Sequence, residues 1–335
     1  MPVFRRDLVV IGASAGGVEA LRSLAGSLPA DFPAAVLVTM HLAPGVQSAL
    51  PQILDRAGPL PAMSAVHGAP VTPGVIHVSP PDRHLLVDDG LLVLTKGPTE
   101  NGHRPAINAT FRSAAVAAGP RAVGVILSGS LDDGALGLRA IVDRGGAAVV
   151  QDPADALYAG MPESALARVA TEHVLPIGEI GPALDKLVRT AWEPFPVKPA
   201  SPGLLLEDRI AHNGVRIGAT TLASGYTCPD CQGTLMEMAA ESGRHGHYRC
   251  RIGHAWSAEA LLGAQDAEFQ RALWTALRSL DEKAALAGRL RGESALRRHL
   301  LLVERYSSTA RECTSAAETL RRFLISLAPG GDPGP

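Results

Sequence analysis

Ser14 lies in the run Gly12-Ala13-Ser14-Ala15-Gly16-Gly17, directly after the apolar residues Leu8-Val9-Val10-Ile11 and directly before a helical pattern over 18–28. A serine at such a strand–turn–helix corner is held at the carboxyl end of a strand. Its hydroxyl sits beside backbone N–H groups that the first helical turn leaves unpaired. That placement suits an acyl-transfer nucleophile, and it equally suits a phosphate-binding loop. A nucleophilic serine needs a base, and the base needs an orienting acid. His41 follows the apolar run 35–39, and Asp132 and Asp133 follow the run 122–127 through Ser128-Gly129-Ser130-Leu131. A serine, a histidine and an aspartate are thus each expected just past a strand. The same residues also have structural readings: His41 as a loop histidine, and Asp132 and Asp133 as caps of a helix starting near Gly134.

A second group has metal-ligand spacing. Cys228-Pro229-Asp230-Cys231 is followed, after eighteen residues, by Cys250-Arg251-Ile252-Gly253-His254. Two close ligand pairs on opposing turns make a tetrahedral sulfur/nitrogen site that suits zinc. Four protein ligands close the coordination sphere, so such a zinc would be structural. A reduced, metal-free loop with buried cysteines is the alternative. His245 and His247 could substitute for His254, and Cys313 reads as a small core residue.

These residues must be positioned by a large fold. The chain has 335 residues, 46% hydrophobic and 19% charged, enough for two or three domains. Runs 8–11, 35–39, 75–78, 122–127 and 147–150 predict strands, and 18–28, 45–56, 105–118, 132–144 and 180–191 predict helices. Continuous rather than alternating apolar strands, separated by helices, predict a doubly wound, mostly parallel α/β sheet in three layers. Leu85–Val87 and Leu91–Leu94, joined by Asp88-Asp89-Gly90, predict an antiparallel hairpin and hence a mixed sheet.

The expected organisation is a catalytic domain over 1–192, a proline-rich linker over 193–223, a zinc-ribbon-like segment over 224–257, a C-terminal helical hairpin over 258–327 with a break at Gly288 or Gly292, and a disordered tail over 328–335. The net charge of −2 gives no pull toward nucleic acid or anionic lipid. No run approaches the roughly 20 apolar residues that span a bilayer, and no secretory signal is visible, so a cytoplasmic protein without membrane insertion is expected. The ribbon's Arg244, Arg249 and Arg251 are a modest basic set with Glu237, Glu241 and Glu259 close by in sequence, poor support for a nucleic-acid role, and the arginines of the helices read as a solvated face.

The motifs around Ser14, then Met40-His41-Leu42-Ala43-Pro44-Gly45, and Leu127-Ser128-Gly129-Ser130-Leu131-Asp132-Asp133-Gly134-Ala135 resemble the catalytic domain of the CheB family, the protein-glutamate methylesterases of bacterial chemotaxis. Ser79-Pro80-Pro81-Asp82-Arg83-His84, His103-Arg104-Pro105 and Gly160-Met161-Pro162 are similar pieces, and the likeness covers about residues 5–190. The resemblance implies Ser14 as nucleophile, His41 as base and Asp133, rather than Asp132, as orienting acid. It implies hydrolysis of glutamyl methyl esters on methyl-accepting chemoreceptors, in some members with glutamine deamidation, and no catalytic cofactor. Backbone N–H groups near Ala15 and Gly16, and around Ser130, would form the oxyanion hole, with Met161 beside the substrate.

Three segments depart from the family pattern: Ala15 replaces a threonine, Gly129-Ser130-Leu131 replaces Gly-Met-Gly, and Asn108 replaces an aspartate. Ser14 lies too near the first residue for the family's receiver domain to precede it, so regulation is expected from the C-terminal part or a partner. The ribbon and helices are expected to dock a protein or a second copy of the chain. Two other readings remain open. One is a non-catalytic signalling module that uses the esterase fold for binding. The other is a Rossmann-type oxidoreductase, disfavoured because Tyr158 is followed by Pro162 where a Tyr-x-x-x-Lys pair needs lysine.

Overall fold

Successive side chains of a strand point to opposite faces, so a run in which every residue is buried must be covered on both sides. Leu8–Ala13 (β1) and Ala35–Met40 (β2) are such runs, buried at all positions. The computed structural model describes residues 4–42, 45, 48–192, 197–213, 223–238 and 247–327. Ala62–Ser64 (β3), Ile76–Val78 (β4), Ala122–Ile126 (β7), Ala147–Gln151 (β8) and Val174–Leu175 (β9) complete a seven-stranded sheet in the order β3-β4-β2-β1-β7-β8-β9. All its pairings are parallel. One face, carrying Val9, Ile11, Val36 and Val38, packs with Leu21 and Leu24 of α1 (Gly17–Ser27), Leu54 of α2 (Leu50–Ala57) and Leu184 of α6 (Ile177–Arg189). The other, carrying Val10, Leu37 and Val150, packs with Phe111 of α3 (Ile107–Ala117), Leu138 of α4 (Ala135–Asp143) and Met161 of α5 (Gly160–Leu166).

The expected hairpin forms, as β5 (His84–Asp88) and β6 (Leu91–Thr95), but as a separate two-stranded sheet. The large sheet is therefore wholly parallel and not mixed. The hairpin joins the second core instead, through Leu85, Val87 and Leu92.

The chain starts at the middle of the sheet with β1, runs outward through β2, and returns to the other side with β7. The carboxyl ends of β1, β2 and β7 therefore face the crevice where strand order reverses, which is where open α/β sheets bind ligands. Helix α3 passes close above β1. A Cβ built on Gly12 would come within 2.3 Å of Ile107 Cγ2, so glycine is required there by close approach.

Beyond the sheet, part of the segment expected as a linker is helical. Pro202–Asn213 (α7) seats Ala211 against Leu86, Ala106 and Ala109, and packs Ile210 against Met236. The proline-rich start hid a helix whose apolar residues face two neighbours. Residues 193–196 and 214–222 of that segment, like the tail 328–335, lie outside the described residues. Ala223–Thr227 (β10), Thr234–Met238 (β11), His247–Cys250 (β12) and Ala255–Trp256 (β13) form a four-stranded antiparallel ribbon.

The described residues from Leu262 onward form a second compact unit. Its helices are α8 (Ala258–Leu296) and α9 (Leu300–Ser326), and Leu277, Ala317 and Leu324 pack between them. The break falls at Arg297–His299, with Arg298 in the left-handed region, and not at Gly288 or Gly292. Both glycines sit inside α8 with open space around them, and an exposed glycine costs a helix only about 1 kcal/mol. Among the described residues no helix is long and apolar enough to cross a membrane.

Gly12→Ala should destabilise the chain by about 1–3 kcal/mol, because the new methyl meets the stiff, β-branched Ile107. Urea unfolding of the two proteins measures it, and equal midpoints would contradict the close approach of α3.

Candidate active site

Ser14 follows β1 and starts the turn into α1. Its N–H donates to Ser128 O at 3.0 Å, tying the β1 corner to the end of β7. Gly16 caps α1 at φ 71°, where its hypothetical Cβ would meet Ser128 Oγ and Leu157. Gly129 faces Ser14 still more closely, since a Cβ there would strike Met161 Sδ and lie 3.0 Å from Ser14 Cβ. The two corners thus pack backbone to backbone around the serine.

Ser14 Oγ–H donates to His41 Nδ1 at 3.0 Å, and His41 Nε2–H donates to Asp133 Oδ2 at 2.7 Å. A carboxylate only accepts, so the Asp133 bond places the imidazole proton on Nε2 and leaves Nδ1 free to take a proton from serine. Asp133 is 3% exposed and fully engaged. Its Oδ2 accepts the Ile107 N–H at 2.8 Å, and its Oδ1 accepts the N–H groups of Asn108 at 3.2 Å and Gly134 at 3.0 Å. Two of these donors open α3, where N–H groups have no helical partner and the helix dipole favours an anion. Burial alone would raise the Asp133 carboxyl. His41, the Ile107 N–H and His103 outweigh it and hold the group below its ordinary range.

Asp132 points elsewhere. Its Oδ1 accepts the hydroxyl of Ser257 at 2.7 Å and its Oδ2 pairs with Arg168 at 3.2 Å. Burial pushes its pKa up, against the pull of Ser257 and Arg168. Of the two adjacent aspartates, only Asp133 reaches His41. Asn108, the third departure, ties α3 to α4 by accepting the Gly137 N–H at 2.7 Å.

The remaining expected residues gather at the same corner with different exposures. Ala15 accepts the Ser128 hydroxyl through its carbonyl at 2.8 Å. The N–H groups of Ala15, Gly16 and Ser130 donate to no protein acceptor among the described residues, whereas those of Ser14, Gly17 and Gly129 are already paired. Ser130 is exposed, and Met161 is buried under Gly129, supporting the turn from below.

Sequence reasoning missed His103 as a site residue. Its ring stacks on His41 with centroids 3.6 Å apart and planes 9° from parallel. Burial, then the neighbouring His41, lowers its pKa to about 4, opposed by Asp133 and Asp230. A neutral His103 therefore adds no charge beside His41. With Leu42, Asp82, Thr99, Gly102 and Arg104, these two histidines line a cavity of about 400 Å³. Only the motif His103-Arg104-Pro105 had pointed to this loop.

The four expected metal ligands also converge. Cys228, Cys231, Cys250 and His254 place their ligand atoms within 4.8 Å of one another. His247 instead bonds Glu207 at 3.1 Å, and His245 lies outside the described residues. Cys231 and Cys250 Sγ are 3.6 Å apart, and His254 Nδ1 is 3.7 and 3.5 Å from Cys228 and Cys250 Sγ. Tetrahedral zinc with Zn–S bonds of about 2.3 Å needs ligand separations of roughly 3.8 Å, so the donor set fits that ion. The thiols are free of disulfides.

Residues 9–184 match the family model for CheB methylesterase. The chain is 40% identical over 185 residues to protein-glutamate methylesterase/protein-glutamine glutaminase 2 of Anaeromyxobacter dehalogenans, over 55% of this chain and 54% of that protein. It is 38% identical over 182 residues to protein-glutamate methylesterase FrzG of Myxococcus xanthus, over 54% of each. The crystal structure of the Thermotoga maritima CheB methylesterase catalytic domain superposes with a TM-score of 0.53 at 32% identity, covering 55% of this chain and 100% of that one. The chain spans about half the length of the curated relatives it matches.

The low pKa of His103 makes stability pH-dependent. The unfolded imidazole takes a proton near pH 6.5 and the folded one only near 4, so stability is full above 6.5 and is lost as pH falls toward 4. Replacing His103 by Phe should flatten that part of the stability curve, by about 3 kcal/mol at most. Denaturant titrations at pH 7 and pH 4.5 read the difference, and parallel losses in both proteins would contradict a buried, neutral His103.

Proposed function

Since the chain belongs to the CheB methylesterase family, we propose that it is a cytoplasmic serine hydrolase that removes methyl esters from glutamate side chains of methyl-accepting chemoreceptors. The observation that carries this reading is the unbroken hydrogen-bond chain from Ser14 Oγ through His41 to Asp133 at the sheet's switch point. Ser14 Oγ attacks the ester carbonyl while His41 Nδ1 takes its proton, and Asp133 orients His41 and stabilises the imidazolium. The oxyanion meets the N–H groups of Ala15, Gly16 and Ser130. His41 returns the proton to the departing oxygen, giving methanol. Water, deprotonated by His41, then releases glutamate from the acyl-serine. With ammonia leaving instead of methanol, the same steps convert glutamine to glutamate, an activity included in the names of several relatives.

No catalytic cofactor enters these steps. We assign catalysis to residues 1–192 and a structural zinc to Cys228, Cys231, Cys250 and His254. Bound there, zinc would hold the two turns of a ribbon too small to bury a core of its own. The helices over 258–327, with Trp274 and Ile325 exposed, are assigned to self-association.

Methanol release from a methylated chemoreceptor preparation tests the reaction. Ser14→Ala should abolish it, and Asp133→Asn should lower kcat by about 10³–10⁴-fold, far more than Asp132→Asn. Full activity in Ser14→Ala, or equal effects of the two asparagine variants, would overturn the assignment. Metal analysis of the reduced protein should return one zinc per chain, and a metal-free, folded ribbon would remove the zinc.

A further inference from the structure

The Cys/His ribbon does not hang free of the α/β core. Ala255 N–H donates to Thr99 O at 3.1 Å and Asn101 N–H donates to Ala255 O at 2.8 Å, so β13, which begins one residue after the ligand His254, pairs with the turn 99–103. Ser257 N–H donates to Asn101 Oδ1 at 2.9 Å, and the Ser257 hydroxyl donates to Asp132 at 2.7 Å. From the other ligand pair, Asp230, between Cys228 and Cys231, accepts the Thr99 hydroxyl at 2.6 Å.

Beneath the turn, Arg249, adjacent to Cys250 and fully buried, binds Glu100 at 2.8 Å and grips both oxygens of Glu207. Arg112 of α3 closes the network on Glu100. Arg249 also donates to Gly253 O, inside the second ligand pair. Parting a buried ion from its partner is strongly destabilising, so the ion pairs of Arg249 and Arg112 with Glu100 and Glu207 fix where the ribbon can sit.

The turn held in this way carries His103, which stacks on His41. Every anchor of the 99–103 turn on the ribbon lies within three residues of a Cys or His ligand. We propose that the metal-loaded ribbon is a positioning device for the acyl-transfer site: zinc fixes the 99–103 turn, and through it His103, against the face of His41. The inference rests on the esterase and zinc assignments above, and adds that the metal governs turnover although it lies outside the chemistry. A catalytic imidazole freed to tilt loses its line to serine, and misplacement of about 1 Å can cost a hundredfold in rate.

The experiment uses the full, reduced chain in three forms: zinc-loaded, stripped with a chelator, and reloaded with zinc alone. Hydrogen exchange is followed by peptide over 98–105 and over β1 and β7, together with kcat, KM and the pH profile of ester hydrolysis. Stripping should raise exchange at 98–105 while β1 and β7 stay protected. It should lower kcat roughly ten- to a hundredfold with little change in KM, and move the apparent pKa of the rate profile, and zinc should restore all three.

Unchanged exchange and kcat in a verified metal-free chain would overturn the proposal, as would a chain that takes up no zinc. If stripping unfolds β1 and β7 as well, Thr99→Val decides, because it keeps all four ligands and removes the turn's side-chain bond to Asp230. A lowered kcat with a moved pH profile in that variant supports the coupling, and wild-type values overturn it. Loss of protection at 98–105 in a chain that hydrolyses no ester even when loaded would sink the esterase assignment while supporting the ribbon's hold on the turn.

Discussion

A carboxylate taken almost wholly out of water needs a partner for nearly every lone pair, and at Asp133 that requirement organises the surrounding fold. Three backbone N–H groups and one imidazole supply it. Two of those N–H groups belong to the first turn of α3, so the helix must begin beside the end of β7. The cis-linked Arg104-Pro105 segment leads into that helix, and glycine at position 12 lets it approach β1. With Asp133 fixed, His41 has one tautomer and one orientation, and Ser14 meets the nitrogen that remains. The serine's own corner is then held from below by Gly129 and Met161.

Much of this is legible in the residues themselves. Fully apolar runs gave the central strands to within two residues, and Ser14, His41 and Asp133 each follow the strand assigned to them. Spacing alone could not choose between Asp132 and Asp133. Side-chain direction past Leu131, which takes a left-handed backbone, separates them by sending one to His41 and the other to Ser257. The failures share a cause. The hairpin Leu85–Leu94 reads the same whether it joins the large sheet or stands alone, because both leave one face buried. Helix α7 hides behind prolines because its apolar residues serve two different neighbours rather than one stripe. Gly288 and Gly292 resemble breaks, yet an exposed helix absorbs them.

His103 and the ribbon anchors were harder to find for a different reason. Nothing local marks a histidine that stacks on another one sixty-two residues earlier. In sequence Arg249 is one of a modest basic set, and its burial follows only from two glutamates distant in sequence, Glu100 and Glu207. Such long-range electrostatic pairing leaves no periodic trace. It does leave a physical signature once the fold is known, since a guanidinium with no exposed surface must be matched by carboxylates, and here both stay ionised: Glu100 is held at about 2 by Arg112 and Arg249 against its burial.

The proposed nucleophile can be interrogated without any receptor. A fluorophosphonate reacts with a serine only where a base removes its proton and donors receive the developing oxyanion. Incubation of the full chain with such a probe, followed by peptide mass spectrometry, should place a single adduct on Ser14 and none on the neighbouring Ser128 or Ser130. An adduct on another serine, or no adduct on a folded protein, would contradict a Ser14–His41–Asp133 acyl-transfer site.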